Sequence, residues 1–389
     1  MDAFFLLSMY VDTLPNDKKS VVFLDEIPWL ASHKSGFLMG LSWFWNSWAL
    51  NRNIVVVICG SAASWMIQKV VNDRGGLHNR ITKRVFLYPF TLNETEAYLQ
   101  SRHLFFNRYQ IAQLYMALGG IPHYLKAIET GKSAVQNIND LCFSKNGLLH
   151  DEFTRLYQAL FANAEHHLAI VRALAQSKQG LSRPAIIKSS QLPDGGNTSR
   201  ILEELEQSGF ITSYDPLGKR KKDMLYRLTD EYSLFYLKFI ERNKNEGADT
   251  WNHLSQTATA KAWSGYAFEN LCLKHIPQIK KALGIAGVHT QSASFLYKGN
   301  EHETGAQIDL VLDRNDHIIN LFEMKFYHSE FSLTETEAKA IRNRVRVFRE
   351  QTATKKHLMP VMMTTFDMQH NQHSLGLIEQ ILTLDALFS

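Results

Sequence analysis

Two short apolar runs, Val21–Leu24 and Ile54–Ile58, set the tightest limit on the fold. Each is the length of a strand, and each ends abruptly on polar residues: Asp25-Glu26 after the first, Cys59-Gly60-Ser61 after the second. Between them Phe37–Ala49 carries Trp and Phe at helical spacing, and Met1–Val11 reads as a further helix. Strand, helix, strand is the order of a parallel pairing, and uninterrupted β-branched runs are what strands covered on both faces require. The N-terminal part is therefore expected to be α/β, with Ile54–Ile58 buried.

A chain of 389 residues implies two to four domains, and the pattern changes along it accordingly. Residues 1–90 hold the alternating strands and helices. Residues 91–160 read as short helices, a lid-like region opened by a capping box at Thr91 and Glu94. In 161–245 three helix candidates (His167–Ala175, Arg183–Ser189 and Thr198–Ser208) precede a hairpin, Phe210–Tyr214 and Met224–Leu228, which is the order of a winged helix. Residues 241–255 are polar and read as a linker. Residues 256–389 run helix, strands, helix, strand, helix. No run of about 20 apolar residues is present, so no membrane span is expected. The first fifteen residues lack a basic leader and carry Asp2 and Asp12, which favours a helix over a signal peptide. Cys59, Cys142 and Cys272 are too scattered for a disulfide framework or a zinc cluster, so a reducing, cytoplasmic setting is expected. The net charge of +4 permits nucleic-acid binding without demanding it.

VVFLDE, ending at Asp25 and Glu26, has the form of a Walker B strand. In such a strand the first acid holds Mg²⁺ and the second orients the attacking water. Ser61, at the end of the next strand, has the position of a polar sensor of the γ-phosphate. Together with GGLHNRITKRVFLYPFTLNETEAYL these stretches resemble the archaeal-type ATPase family, a branch of the AAA-like P-loop ATPases. The resemblance covers roughly residues 1–240 and implies ATP as the family's nucleotide, with Arg80 at the matching position for nucleotide sensing. One part of the pattern is missing: no G-x-x-x-x-G-K-[ST] occurs. Gly131-Lys132-Ser133 lies after the Walker B strand in a helical region, with Lys126 where the first glycine belongs, and reads as coincidence. The 24 residues ahead of Asp25 leave no room for a phosphate-binding strand, loop and helix. This chain is therefore expected not to hydrolyse ATP by itself, as for a gene fragment or a chain whose P-loop comes from a separate chain or an oligomer.

GAQIDLVLDRNDHIINLFEMKF, residues 305–326, carries a second constellation. Glu323 and Lys325 are two apart on a strand and share a face, and a hairpin loop of odd length adds Asp309 to that face. Two carboxylates for a divalent metal and a lysine for developing charge make a phosphodiester-cleaving set. The spacing Asp-x13-Glu-x-Lys resembles the PD-(D/E)xK nuclease superfamily, which implies a restriction-endonuclease-like α/β domain. The resemblance also implies that Glu269, on the preceding helix AFENLCL, joins Asp309 and Glu323 as a ligand to Mg²⁺ or Mn²⁺. Arg342, Arg344, Arg346 and Arg349 on the following helix read as a basic face for phosphates. In the winged-helix segment Thr198, Ser199 and Arg200 near the start of the third helix are placed to reach phosphates or bases, although Glu203, Glu204 and Glu206 on that helix repel DNA. Lys219, Arg220, Lys221 and Lys222 lie on the wing, and the alternative is a packing or oligomerisation module.

The sixteen histidines, His166-His167 among them, read as satisfied or solvated side chains, and Trp43, Phe44, Trp45 and Trp48 as a packed helix face. The fold expected is thus a partial P-loop ATPase sheet, a helical and winged-helix middle, and a nuclease-like α/β end. The function expected is an ATPase-family protein that acts on DNA. The alternative is a non-catalytic binding or regulatory protein that uses both folds as scaffolds.

Overall fold

The computed structural model describes the chain except for residues 1, 16, 33, 73–74, 215–216, 218–223, 245, 248 and 300–303. In chain order the elements that matter are α1 (Asp2–Asp12), β1 (Ser20–Leu24), α2 (Ile27–Leu30), α3 (Phe37–Trp43), β2 (Ile54–Ile58) and α4 (Ala63–Met66). They are followed by α5 (Leu92–Ser101), α6 (Arg108–Leu118), α7 (Ala134–Cys142), α8 (Ala164–Ala175), β3 (Leu181–Ser182), α9 (Arg183–Ser190) and α10 (Gly196–Gln207). The remainder comprises β4 (Ile211–Tyr214), β5 (Leu225–Leu228), α11 (Ala258–Lys274), β6 (Thr290–Gly299), β7 (Thr304–Arg314), β8 (Ile318–Lys325), α12 (Glu335–Thr352), β9 (His357–Thr364) and β10 (Gln380–Thr383). Among the described residues no helix is long and apolar enough to cross a membrane. The three cysteines are free thiols.

The chain forms two compact units. The first comprises residues 1–87, 157–167 and 195–209. Its β1 and β2 pair in parallel, Ser20 beside Ile54 through Leu24 beside Ile58. Phe44, Ile27 and Leu41 are buried beneath the sheet, and Phe44 stacks on Trp48 at 4.9 Å, so the aromatic run is a packed face. After α3 the helix widens into a π-turn over Phe44–Trp48 and closes as a 3-10 turn before β2. Ile54–Ile58 is not buried on both sides. Val21, Phe23, Val55 and Val57 are exposed, and only the alternate residues face the core. Pleating alone sends successive side chains to opposite faces, and helices cover one face of this two-stranded sheet. His167 is buried, stacks on Phe161 and bonds to Glu204 of α10 at 2.9 Å, a satisfied core histidine.

The second unit comprises residues 88–156, 168–194 and 210–389. The capping box expected at α5 is present, Thr91 and Glu94 each bonding the other's backbone N–H. Lys132 of the Gly-Lys-Ser tripeptide pairs with Glu129 and Asp140, while Ser133 caps α7; both side chains are committed to local structure. The polar stretch 241–255 is not a bare linker. Thr250–Leu254 is a helical turn whose Trp251 is buried against Phe235, Phe239 and Trp263. One tryptophan in the core outweighs the surrounding polar composition.

Three sheets are described in this unit, the smallest a parallel pairing of Phe331–Ser332 with Met368–Gln369. A small antiparallel sheet has the order β3-β5-β4. A five-stranded mixed sheet has the order β10-β9-β8-β7-β6. β6 pairs with β7 and β7 with β8 in antiparallel fashion, while β8, β9 and β10 are parallel to one another. The return from β8 to β9 needs a crossover, which α12 supplies. Helix α11 packs on β8, and α12 packs on β7 and β9. The core beneath α12 gathers Ile308, Val311, Leu321, Val347 and Phe348.

Candidate functional site

In the first unit the two parallel strands end side by side, and the turn after each is tied to the other. Cys59 N–H donates to Leu24, and Ile27 N–H donates to Cys59. Glu26 adopts a left-handed conformation, φ 47°, which is strained for a residue with a Cβ and turns the chain sharply into α2. Its carboxylate accepts from Ser61 twice, from the backbone N–H at 3.2 Å and the hydroxyl at 3.0 Å. Asp25 accepts from the Cys59 thiol at 2.6 Å, and that hydrogen bond pushes the thiol pKa up, with burial adding to it. Gly60 is required here, because a Cβ would lie 2.6 Å from the Pro28 ring. Asp25, Glu26 and Ser61 thus come together at the carboxyl ends of parallel strands, where ligands of α/β sheets are held. Arg80 is not brought to them. It is exposed, and among the described residues it makes no ion pair with Asp25 or Glu26; its backbone N–H closes a turn on Leu77.

The second unit holds the other constellation. Leu310 pairs with Phe322 and Asp313 with Ile319, and the same register continued one step sets Asp309 across from Glu323. On the other side of β7 the pairing slips: Ala293 faces Val311 but Phe295 faces Ile308, so Asp309 and Leu310 together oppose Ser294. This bulge explains why Ile308 and Val311, three apart, reach the same core. It also re-aims Asp309 from the position strict alternation would give it.

Two groups of side chains result. Glu323 accepts from Arg344 of α12 at 2.6 Å and pairs with Lys325 at 3.0 Å, and Lys325 lies 3.9 Å from Glu337 of the same helix. Asp309 accepts from Gln307 at 2.7 Å. Glu269 projects from α11 and links the groups. Burial first, then the charge of Asp309, and more weakly that of Glu323, push its carboxyl up to about 7. Lys325 is held charged against burial by Glu323, with Glu337 adding to it. The four side chains share one electrostatic neighbourhood, yet they do not form a finished cage: among the described residues no three Asp, Glu, His or Cys side chains could hold a metal as they stand.

Several expected contacts fall elsewhere. Arg344 is committed to Glu323, and Arg346 to Glu350 and Asn343, so among the described residues α12 offers Arg342 and Arg349 rather than four uncommitted cations. Thr198 is buried at the start of α10 and does not face outward. Arg200 is exposed and bonds to Asn197, with Glu204 at 3.8 Å. Lys219, Arg220, Lys221 and Lys222 lie outside the described residues. Sequence reasoning missed Cys59, Gln307, Tyr266 and Arg227. For Gln307 the signal was present, since it sits two residues from Asp309 on one strand. Arg227 stands 42 residues before Glu269, and no local pattern connects them.

No protein-family model matches the chain. It is 22% identical over 321 residues to an uncharacterized protein of Methanocaldococcus jannaschii, an alignment covering 79% of this chain and 68% of that protein. Among solved structures it is similar to a Walker-type ATPase of Pyrococcus abyssi, with a TM-score of 0.39 and 18% identity. That match covers 56% of this chain and 62% of the other, so the chain spans less than two thirds of that structure.

Proposed function

We propose that this chain is a DNA-acting protein in which an ATPase-like N-terminal unit and a winged-helix segment accompany a metal-dependent, nuclease-like C-terminal site. One observation carries the reading: Glu269, Asp309, Glu323 and Lys325, which come from one helix and two strands, fall within one electrostatic neighbourhood. The order helix, β6, β7, β8, helix, β9 supports a restriction-endonuclease-like layer. The donor set fits a hard divalent cation in kind, being three carboxylates with no thiolate or imidazole. Burial first and the charge of Asp309 second raise the Glu269 carboxyl, and a bound divalent ion would favour its anion. Asp309, Glu323 and Glu269 are the residues to hold Mg²⁺ or Mn²⁺, and the ion when bound supplies Lewis acidity to the phosphoryl oxygen. Lys325, kept charged by Glu323, stabilises the negative charge that develops on phosphate. Free thiols fit a reducing, cytoplasmic setting.

In the first unit Asp25, Glu26 and Ser61 have the arrangement of a Walker B strand and its sensor, and Arg80 is a nucleotide-sensing position only after a rearrangement. No G-x-x-x-x-G-K-[ST] phosphate loop occurs in the sequence. The exposed Val21, Phe23, Val55 and Val57 fit a sheet completed by a separate P-loop-bearing chain or a second copy. The discriminating experiment incubates the full chain with single- and double-stranded DNA and Mg²⁺ or Mn²⁺, beside a Lys325→Ala variant. Metal-dependent cleavage lost in the variant supports the nuclease. DNA binding without cleavage under every condition leaves the scaffold reading, which the pairing of Glu323 with Arg344 favours.

A further inference from the structure

Arg227 is the outlier of the second unit. It comes from β5 of the small antiparallel sheet, far in sequence from every acid discussed above, and only 6% of it is exposed. A buried guanidinium is costly unless its donors are filled. Here they are not. Nε lies 3.4 Å from the Tyr266 hydroxyl, at the edge of hydrogen-bond range, and the guanidinium carbon sits 4.8 Å over the Tyr266 ring. Nη2 lies 3.6 Å from Glu269 Oε2, too far for a hydrogen bond, and is buried without an acceptor among the described residues. The charges it meets are Glu269 and Asp309. The small sheet is fastened over this end of the large one. Leu217 N–H donates to Ser294, the residue opposite the bulge, at 2.9 Å. The Tyr214 hydroxyl donates to the Gln179 carbonyl, and the Gln179 side chain bonds to Gln307, which holds Asp309.

We propose that Arg227, buried where Lys178 is the other cation acting on Glu269, is a resident counter-cation of the Glu269–Asp309 pair, and that a divalent metal enters this site by exchange with it. The proposal rests on the nuclease-like reading above and adds to it a regulating group from a different segment of the chain. The imperfect contacts explain the assignment. A guanidinium that was purely structural would be fully hydrogen-bonded. One that must leave carries charge complementarity with an unfilled donor. Displacing it frees both carboxylates and unseats β5, so occupancy of the site is tied to the position of the small sheet.

The test is Mn²⁺ binding to the full chain by calorimetry, without nucleic acid. Arg227→Gln removes the competing charge and should bind Mn²⁺ at least tenfold more tightly than wild type. Arg227→Lys should stay close to wild type, and Glu269→Gln should lose the site in either background. Because a buried arginine can be needed for folding, hydrogen exchange on the wild-type protein gives a second reading: Mn²⁺ should lower protection at Leu225–Leu228. Unchanged or weaker binding in a folded Arg227→Gln variant, or unchanged protection of β5 at saturating Mn²⁺, overturns the exchange while leaving the metal site intact. If neither wild type nor Arg227→Gln binds Mn²⁺, the metal reading itself falls, and the exchange with it.

Discussion

Glu269 provides the most direct measurement of the acidic site. Its carboxyl moves from an ordinary value of 4.5 to about 7, because burial penalises the anion and Asp309 repels it. Each pH unit of difference between folded and unfolded states is worth about 1.36 kcal/mol, so the full effect is about 3 kcal/mol. The sign follows from proton uptake. Between pH 4.5 and 7 the folded chain keeps a proton that the unfolded chain has lost, so raising the pH favours unfolding. The contribution is fully present below pH 4.5 and is lost as pH rises through about 7. From pH 5 to 7.5 the loss should be about 2 kcal/mol. Glu269→Gln cannot ionise, so its stability relative to wild type should rise by that amount over the same interval.

A chain of two units does not unfold in one step, so the measurement must be local. Native-state hydrogen exchange of the α11 amides, corrected for the intrinsic pH dependence of exchange, gives the opening free energy of the helix that carries Glu269. Wild type should weaken from pH 5 to 7.5 and Glu269→Gln should not. Parallel curves for the two proteins would refute the assignment, because they would mean that Glu269 titrates as a solvated carboxylate. Saturating Mn²⁺ should flatten the wild-type curve by favouring the anion.

Lys325→Ala should reduce metal-dependent DNA cleavage by at least a hundredfold with little change in DNA affinity, read by gel assay and fluorescence anisotropy, because it removes charge stabilisation from the transition state and not a core contact. The full chain should turn over ATP no faster than its Glu26→Gln variant in a phosphate-release assay; turnover of about 1 s⁻¹ or more that Glu26→Gln abolishes would refute the absence of a working phosphate site. Replacing Lys219, Arg220, Lys221 and Lys222 with Ala should flatten the salt dependence of DNA binding, since phosphate contacts release counterions, and an unchanged slope would assign these residues to another role.

Local signals in the sequence carried far. The capping box at Thr91, the strand Ile54–Ile58 and both strands of the Asp309–Glu323 hairpin lie where their spacing put them. Asp25, Glu26 and Ser61 are neighbours, because a strand end fixes its own polar residues and the neighbouring parallel strand brings the third. What the sequence could not disclose is tertiary. The bulge at Asp309-Leu310 depends on β6 as well as β7, and nothing in either strand alone announces it. The burial of Trp251 depends on three aromatic partners spread over other helices. Charge patterning misled for the same reason. Four arginines on α12 look like a phosphate-binding face until Glu323 and Glu350 are seen to take two of them.

The two candidate sites share a physical theme that bears on how they would be controlled. In each, the side chain best suited to chemistry is held by a neighbour that chemistry would have to displace. Glu26 is bound by Ser61 from both the hydroxyl and the backbone. Glu323 is bound by Arg344 and Lys325, and Glu269 faces Arg227. Such contacts hold the carboxylates in place, and they also set the competition that any entering cation must win. For the C-terminal site the competitor at Glu269 belongs to β5 and the competitor at Glu323 to α12. Affinity for metal is therefore a property of how three parts of the chain are packed, and not of the carboxylates alone. Double substitution of Arg227 and Arg344 by Gln should then tighten Mn²⁺ binding by more than either single change. A double variant that binds Mn²⁺ no more tightly than the tighter of the two singles would mean that the two arginines do not compete for a common ion.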